Sequence, residues 1–140
     1  DAGSKDAQWK IDYDYQLDFA KTSKANNIGA FILVSAAGAT AKSKIFYQRM
    51  KGELEVAIKN LSFSKLIILK PGLLERPKTN RTGEKLILPV IKTFNKIGLF
   101  NSQKPLPTST LAQAMANIGK QKNIESKDIS GIEIFKYADL

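Results

Sequence analysis

Cysteine and histidine are both absent from the 140-residue sequence. Without them, disulfide bonds, the usual zinc sites, and catalysis by a Ser–His or Cys–His pair are excluded. Acid–base chemistry near neutral pH then depends on a tyrosine, a lysine or a carboxylate whose pKa the fold has shifted. We therefore predict no metal site and look for catalytic groups among these residue types.

Long apolar runs are also missing. None reaches the roughly 18 residues that a membrane-spanning helix needs, and no signal peptide is visible, although the chain begins at Asp1 rather than at a methionine. Hydrophobic residues make up 43% of the chain and charged residues 25%, a balance typical of a folded globular segment. These features predict one domain or less, located in the cytoplasm and without a membrane partner.

Acidic residues are few: 13 Asp and Glu stand against 22 Lys and Arg, and the net charge is +9. A basic surface can bind nucleic acid, anionic lipid or a phosphorylated ligand. The lysines are dispersed, however, and no aromatic residues are interleaved with basic ones as in an RNA-binding strand. The charge therefore indicates solvated lysines, and we do not expect nucleic acid as a partner.

The apolar residues concentrate in a stretch that predicts a strand, a turn and a helix. Residues 31–34 are all apolar, as in a strand buried on both faces, and a turn of small residues follows at 35–39. A helix is predicted over 45–61, because apolar residues recur there at steps of three and four. Glu55 lies off this stripe, which consists of Phe46, Met50, Leu54, Ile58 and Leu61.

A second apolar run at 66–69 ends in Lys70-Pro71-Gly72 and completes the unit. Strand, helix and strand in this order predict two parallel strands joined by a crossover helix. Ligands of such units bind at the carboxyl ends of the strands. The predicted site therefore lies between the turn at 35–39 and the turn at Pro71 and Gly72.

Tyr47 falls in the first turns of the predicted helix, beside this site, and Lys51 lies one turn further on the same face. A phenol has a reference pKa of about 10, and a nearby ammonium favours the phenolate. We expect such a pair to exchange protons with an alcohol or a carbonyl near neutral pH. The spacing alone is weak evidence in a chain with 19 lysines. The alternative is that Tyr47 is a core aromatic residue.

The N-terminal residues 4–25 predict a further helix, capped by Ser4 and ended by Asn26 and Asn27. We expect it to cover one face of the sheet with a stripe of residues spaced four apart. These residues are Ala7, Ile11, Tyr15 and Phe19, and Trp9, Tyr13 and Leu17 widen the stripe. Asp12 and Asp14 lie well inside this helix without a matched partner, so we interpret them as solvated or capping charges rather than as acid catalysts.

A polar loop is predicted over 75–85, where Pro77 and Gly83 interrupt regular structure. Because the loop leaves the strand end that faces the site, we expect Arg76 and Arg81 to bind an anionic group of a substrate. The alternative is a solvated loop without a ligand.

Three elements are predicted in the remainder of the chain. A short helix ends at Gly98, and a second begins at a cap formed by Thr108 or Ser109. Weak apolar alternation over 132–135 predicts a last strand.

Three strings in this sequence are similar to a known protein family. They are Leu33-Val34-Ser35-Ala36-Ala37-Gly38-Ala39, Ile45-Phe46-Tyr47-Gln48-Arg49-Met50-Lys51-Gly52-Glu53-Leu54-Glu55 and Leu69-Lys70-Pro71-Gly72-Leu73-Leu74. Together they resemble the atypical short-chain dehydrogenase/reductases, most closely the Tat-interacting-protein-like and nucleoside-diphosphate-sugar epimerase-like oxidoreductases. The resemblance begins at Asp1 and fades after about Met115.

The resemblance implies a cofactor, NAD(P) with NADP favoured, and roles for particular residues. Tyr47 would be the general acid/base, and Lys51 would hold the nicotinamide ribose and lower the tyrosine pKa. Ser35 would be the third catalytic residue, holding the substrate oxygen. The cofactor pocket would be formed by Ser35, Ala36, Tyr47, Lys51, Pro71 and Gly72.

Two features depart from the family pattern. Alanine occupies positions 36 and 37, where members usually carry a second serine or threonine, so only Ser35 remains to polarise a substrate. Lys70 stands where members usually have arginine, which keeps the charge but removes a planar pair of donors.

The phosphate-binding turn Gly-x-Gly-x-x-Gly of such folds is absent, because the nine glycines are scattered. The predicted fold class is therefore α/β, part of a doubly wound parallel-sheet Rossmann fold that lacks its first half. Within this single domain, residues 1–72 would form the sheet and catalytic helix, and residues 73–140 the substrate-side loop, helices and last strand. The missing N-terminal half of the same protein is the predicted partner, and a homo-oligomer is left open.

Three functional hypotheses follow. The first is an NAD(P)-dependent oxidoreductase or epimerase-like enzyme that acts on a small molecule through Tyr47 and Lys51. The second is a non-catalytic NAD(P)-binding regulatory or protein-interaction module, which Ala36 and Ala37 favour. The third is a structural half-fold that binds no cofactor and is inactive by itself.

Overall fold

The fold was derived from a computed structural model, which describes residues 4–75 and 105–140. Arg76, Arg81 and the predicted helix that ends at Gly98 lie outside the described residues. The elements in chain order are α1 (Lys5–Trp9), a π-helical segment (Lys10–Asp14), α2 (Tyr15–Ala25), β1 (Ala30–Val34), α3 (Phe46–Lys59), β2 (Lys65–Lys70), β3 (Leu74–Glu75), β4 (Leu106–Pro107), α4 (Thr108–Lys120), β5 (Lys127–Ser130) and α5 (Glu133–Ala138).

The chain is a mixed α/β structure around a parallel sheet with the strand order β1-β2-β5. β1 and β2 pair in parallel from Ala30 opposite Lys65 to Val34 opposite Leu69, and α3 connects them. The predicted strand–helix–strand unit is therefore confirmed. A second, two-stranded parallel pair joins β3 to β4.

β2 is the centre of the core, because its apolar side chains alternate between two hydrophobic clusters. Leu66 and Ile68 pack with α3 on one face of the sheet. Ile67 and Leu69 pack with α4, α5 and Ile129 of β5 on the other face. Successive side chains of a strand point to opposite faces, so a four-residue apolar run covers both sides of the sheet.

The N-terminal helix forms where it was predicted, and Ser4 caps it by accepting a hydrogen bond from the main-chain N–H of Ala7. The stripe of residues spaced four apart is wrong as the packing face, however. Ile11, Tyr15 and Phe19 are 50%, 56% and 67% exposed. The core-facing side carries Ala20 together with Tyr13 and Leu17, two residues that were predicted to widen the stripe. A π-helical segment interrupts the α-helix at 10–14, and the wider π turn breaks the four-residue spacing on which the prediction depended.

The predicted last strand over 132–135 is wrong, because these residues begin α5. Gly131, at φ 53°, turns the chain out of β5, and the main-chain N–H groups of Ile134 and Phe135 then bond back to the residues three before them. The actual strand, β5, contains a single buried apolar residue, Ile129. Such a strand carries no periodic signal, so the sequence did not reveal it.

The predicted helix at 108–119 is confirmed as α4, but the predicted cap is wrong. The residue before the helix is Pro107, and no side chain caps this end.

β1 has a paired neighbour on one side only within the described sheet. An unpaired edge presents main-chain donors and acceptors that another strand can bind. The partner predicted for this edge, the N-terminal half of the same protein, stays a prediction.

The loop between β1 and α3 crosses directly over Gly52. The main-chain N–H of Thr40 donates to the carbonyl of Gln48, one turn before Gly52 in α3. A Cβ atom at Gly52 would overlap main-chain atoms of Thr40 and Ala41. Only glycine therefore allows the loop to pack this closely on the helix that carries Tyr47 and Lys51.

We expect Gly52→Ala to lower the free energy of unfolding by about 1–3 kcal/mol or more, because a main-chain overlap cannot be relieved by a rotamer change. The measurement is urea unfolding followed by circular dichroism. Gly119→Ala is the matched control, since nothing lies within 4 Å of a Cβ there, and alanine in a helix should raise stability by up to about 1 kcal/mol. Equal stabilities of the two variants would contradict the close packing at Gly52.

Candidate functional site

A pocket of about 460 Å³ runs along β1 and over its carboxyl end. One wall comes from α2, the floor from β1 and the residue after it, and the other wall from α3. The lining residues are Tyr15, Gln16, Phe19, Phe31, Ile32, Leu33, Val34, Ser35, Tyr47, Lys51 and Leu74. Most of this surface is apolar, so its few polar groups define what a ligand can bind.

The pocket brings together three of the predicted site residues: Ser35, Tyr47 and Lys51. Pro71 lies at the same end of the sheet, because its carbonyl accepts a hydrogen bond of 2.8 Å from the main-chain N–H of Ala37. Ala36, Pro71 and Gly72 are not among the lining residues of the pocket. The predicted roles of all these residues stay predictions.

Tyr47 has a pKa above its ordinary value of 10.0, because the phenol is buried and because the negative charge of Asp12 opposes its ionisation. The sequence predicted the opposite direction, from the nearby lysine. That expectation is wrong because burial penalises the phenolate. Tyr47 therefore keeps its proton at neutral pH and can donate it.

Lys51 is buried, with 5% of its surface exposed. Burial lowers the pKa of its ammonium below 10.5, although Asp12 acts in the opposite direction. The ammonium lies 3.5 Å from the main-chain carbonyl oxygen of Asp12, which accepts its hydrogen bond. Asp12 is in the π-helical segment, so the irregular turn supplies a partner to the lysine of the site.

Sequence reasoning interpreted Asp12 only as a solvated or capping charge. Its contact with Lys51 joins residues 39 positions apart. A π-helical turn has no sequence pattern that we could have used to find it.

Ser35 has no proton left for a ligand. Its hydroxyl donates to Oε1 of Glu55 at 2.5 Å, and its main-chain N–H donates to the carbonyl of Leu69 at 2.8 Å. Ser35 is 4% exposed and Glu55 is 5% exposed. Glu55 lies off the apolar stripe of α3, as predicted, but it is buried against the sheet rather than solvated.

Glu55 belongs to a network of charges that crosses the carboxyl end of the sheet. The Lys70 ammonium lies 2.8 Å from Oε2 of Glu55 and 2.9 Å from Oδ2 of Asp128, on β5. Lys59 reaches the same Asp128 oxygen at 3.2 Å. Glu55 and Asp128 are thus the carboxylate partners of Lys70, and no local sequence pattern predicted either ion pair.

The pKa values in this network follow from the pairing. Burial acts to lower the pKa of Lys70, but its hydrogen bonds to Glu55 and Asp128 outweigh burial and raise the pKa above 10.5. Burial acts to raise the pKa of Asp128, but its hydrogen bonds from Lys70 and Lys59 lower it below 3.8. The lysine and the aspartate therefore both stay charged across the physiological pH range.

Within residues 4–75 and 105–140, no group of acidic side chains is arranged to hold a metal ion. None of the helices in these ranges combines the length and apolar character that a membrane crossing requires.

Comparison with known proteins shows similarity to fungal proteins named FMP52. The chain is 34% identical over 141 residues to Protein FMP52-1, mitochondrial, of Scheffersomyces stipitis, and the matched region covers 99% of this chain and 62% of that protein. It is 32% identical over 145 residues to Protein FMP52, mitochondrial, of Candida albicans, and this match covers 99% of the chain and 63% of the relative. It is 43% identical over 79 residues to Protein FMP52, mitochondrial, of Saccharomyces cerevisiae, and this match covers 56% of the chain and 34% of the relative. No family model matches the chain.

The chain thus spans less than two thirds of the length of these relatives. Their names correct two predictions. The predicted family, the short-chain dehydrogenase/reductases, is wrong, because the relatives are FMP52 proteins. The oxidoreductase description that came with this family assignment is not supported. The short strings behind it describe a strand end, a helix and a turn, which predicted local structure without identifying a family.

The predicted cytoplasmic location is also wrong, since the relatives are mitochondrial by name. Composition does not encode a compartment, because targeting depends on segments that are separate from the folded core.

Proposed function

We propose that the pocket on β1 transfers a proton between Tyr47 and the oxygen of a carbonyl or alcohol ligand, in NAD(P)-dependent chemistry of the full-length protein. The observation that carries the proposal is the joint position of Tyr47 and Lys51. The two side chains are one turn apart on α3, Lys51 is buried and Tyr47 is partly buried, and both line one pocket that is otherwise mostly apolar. A phenol and an ammonium withdrawn from solvent at a ligand-sized pocket are suited to acid–base chemistry.

The raised pKa of Tyr47 sets the direction in which the pair works best. A phenol that holds its proton at neutral pH acts as a general acid, so it donates to an oxygen that becomes negative as a carbonyl is reduced. The reverse reaction requires the phenolate, which burial and Asp12 disfavour. The form of Tyr47 that is populated at neutral pH is therefore the protonated form, which carbonyl reduction requires.

Lys51 supports this step electrostatically. Its ammonium, in contact with the Asp12 main-chain carbonyl, places a positive charge in the same pocket as the phenol. A fixed charge of this kind stabilises the negative charge that develops on Tyr47 and on the ligand oxygen. Burial lowers the pKa of the Lys51 ammonium. A negative charge that forms on Tyr47 or on the ligand acts in the opposite direction and favours the ammonium form.

The donor set of the pocket fits a nicotinamide cofactor. Lys51 and Tyr47 offer an ammonium and a hydroxyl, which suit ribose hydroxyl groups, and the side chains of β1 with Tyr15 and Phe19 offer an apolar wall for a flat ring. When bound, the cofactor supplies or accepts a hydride. In this proposal the described sheet is one half of a doubly wound fold, and the remaining part of the full-length protein provides the phosphate-binding turn.

A second candidate function is a non-catalytic NAD(P)-binding regulatory module. The observation that favours it is that Ser35 directs its hydroxyl proton to Glu55, while Ala36 and Ala37 offer no hydroxyl in its place. Substrate polarisation would then depend on Tyr47 and Lys51 alone. If the full-length protein binds NADPH tightly but consumes it with no member of a panel of aldehydes and ketones, this second function is favoured.

Tyr47→Phe tests the chemistry. The substitution keeps the ring and its packing but removes the transferable proton, so NADPH-dependent turnover of the full-length protein with a carbonyl panel should fall by about 10² to 10⁴-fold. Thermal unfolding should change little. Tyr137→Phe, in α5, is the matched control and should keep full activity. Unchanged turnover in Tyr47→Phe would exclude this tyrosine as the proton donor.

Lys51→Met tests the buried ammonium through stability and pH. Because the pKa of Lys51 is lowered in the folded protein, the folded state releases this proton before the unfolded state does. Stability contributed by this group therefore rises with pH between the lowered pKa and 10.5. We expect the difference in free energy of unfolding, wild type minus variant, to grow as the pH rises towards 10.5.

The measurement is urea unfolding at several pH values. Lys21→Met is the control, since the Lys21 side chain is 57% exposed, and its curve should run parallel to that of the wild type. A parallel curve for Lys51→Met as well would show that Lys51 is not desolvated in the folded protein.

A further inference from the structure

Whether the Ser35 hydroxyl donates or accepts a hydrogen bond is determined by a chain of hydrogen bonds that starts at Lys70. An ammonium can only donate, so the Glu55 oxygen that faces Lys70 at 2.8 Å must accept. A carboxylate in such an ion pair has no proton on its other oxygen either. The hydroxyl of Ser35, at 2.5 Å from that second oxygen, therefore has to be the donor.

This direction leaves Ser35 without a donor for the pocket. Its hydroxyl proton goes to Glu55 and its main-chain N–H goes to Leu69. What the side chain can still offer is a lone pair on its oxygen. Ser35 lines the pocket beside Tyr47 and Lys51, so a ligand meets two donors and one acceptor there.

We infer that Glu55 is a positioning residue that makes Ser35 a hydrogen-bond acceptor, so that the pocket selects a ligand presenting a hydroxyl or N–H group at this point over one presenting a carbonyl oxygen. The inference rests on the proposed function only in taking this pocket as the ligand site. It assigns the carbonyl oxygen of a ligand to Tyr47 and Lys51, and a neighbouring hydroxyl or amide to Ser35. A hydroxy-ketone or an amide-bearing ring is the chemical class that satisfies both.

The ion pairs around Lys70 keep the Ser35 hydroxyl as the donor to Glu55. Lys70 is kept in place from its other side by Asp128, which is itself paired with Lys59. The Lys70 and Glu55 side chains are 18% and 7% exposed. Reversing the bond at Ser35 would either leave a buried carboxylate oxygen without a donor or require a proton on Glu55, which would remove the negative charge that pairs with Lys70. Both arrangements are costly in a buried site.

Glu55→Gln reverses the direction with little change in shape. The amide oxygen then turns to the Lys70 ammonium, and the amide NH₂ donates to the Ser35 oxygen, which frees the hydroxyl proton for the pocket. The probes are 2-propanol and acetone, which have the same carbon skeleton and differ in offering a donor or only an acceptor. Each is titrated into ¹⁵N-labelled full-length protein, and the shift of the main-chain amide resonance of residue 35, which Ser35→Ala retains, reports binding without any turnover.

We expect wild type to bind 2-propanol more tightly than acetone by about 2- to 10-fold, the ratio that one hydrogen bond supplies. Glu55→Gln should reverse this preference. Ser35→Ala should abolish it, both alone and combined with Glu55→Gln, whereas Lys70→Arg, which keeps a donor-only cation, should preserve it.

An unchanged ratio in Glu55→Gln, a ratio that survives Ser35→Ala, or no binding of either probe overturns the inference. If Glu55→Gln does not fold, Ser35→Ala decides alone, because it removes one exchangeable group and leaves the ion pairs intact. This experiment and the Tyr47→Phe experiment can fail independently. If Tyr47 is not the proton donor, the ratio of the two probe affinities should still be as expected. If that ratio is not as expected, the loss of turnover in Tyr47→Phe should remain.

Discussion

The burial of β2 on both faces is the constraint on which the rest of the structure depends. Leu66 and Ile68 need a cover on one side of the sheet, and Ile67 and Leu69 need one on the other. α3 supplies the first cover and also connects β1 to β2, so its first turns must begin beside the carboxyl end of β1. Tyr47 and Lys51 therefore reach the pocket because a parallel strand pair requires a crossover helix. The passage of the loop over Gly52 makes this approach tight.

Burial that stabilises the sheet also determines the electrostatics of the site. A phenol and an ammonium beside one carboxylate would have near-normal pKa values in water, but desolvation moves both towards their neutral forms. The opposite holds across the sheet, where Lys70 lies between two carboxylates and the pairing outweighs burial. The two lysines thus differ: Lys51 donates to a main-chain carbonyl, whereas Lys70 is held between two carboxylates. Under the proposed function, the first arrangement suits Lys51 to respond to a ligand, and the second suits Lys70 to hold α3 against the sheet.

Hydrophobic periodicity is local, and the elements that carry it were predicted well. β1, α3, β2 and α4 each contain an apolar run or stripe of several residues, and each forms within two residues of its predicted bounds at most ends. β5 was missed because only Ile129 is buried in it, and α5 was mistaken for a strand because three alternating residues also fit one side of a helix turn. The N-terminal helix shows the intermediate case: its extent was predicted, but a π-helical segment rotated its packing face away from Ile11, Tyr15 and Phe19.

The sequence by itself determined the parallel strand–helix–strand unit, the position of Tyr47 and Lys51 at the head of the helix, and the absence of cysteine and histidine chemistry, because each depends on residue types and on spacing along a short segment. Tertiary structure decided what those residues are able to do. The pKa of Tyr47 depends on burial and on the charge of Asp12. The ammonium of Lys51 bonds to a carbonyl 39 residues away, and the hydroxyl proton of Ser35 goes to Glu55, 20 residues away. Electrostatic interactions act through space and strengthen with burial, and neither distance nor burial between separate elements is encoded in a local pattern.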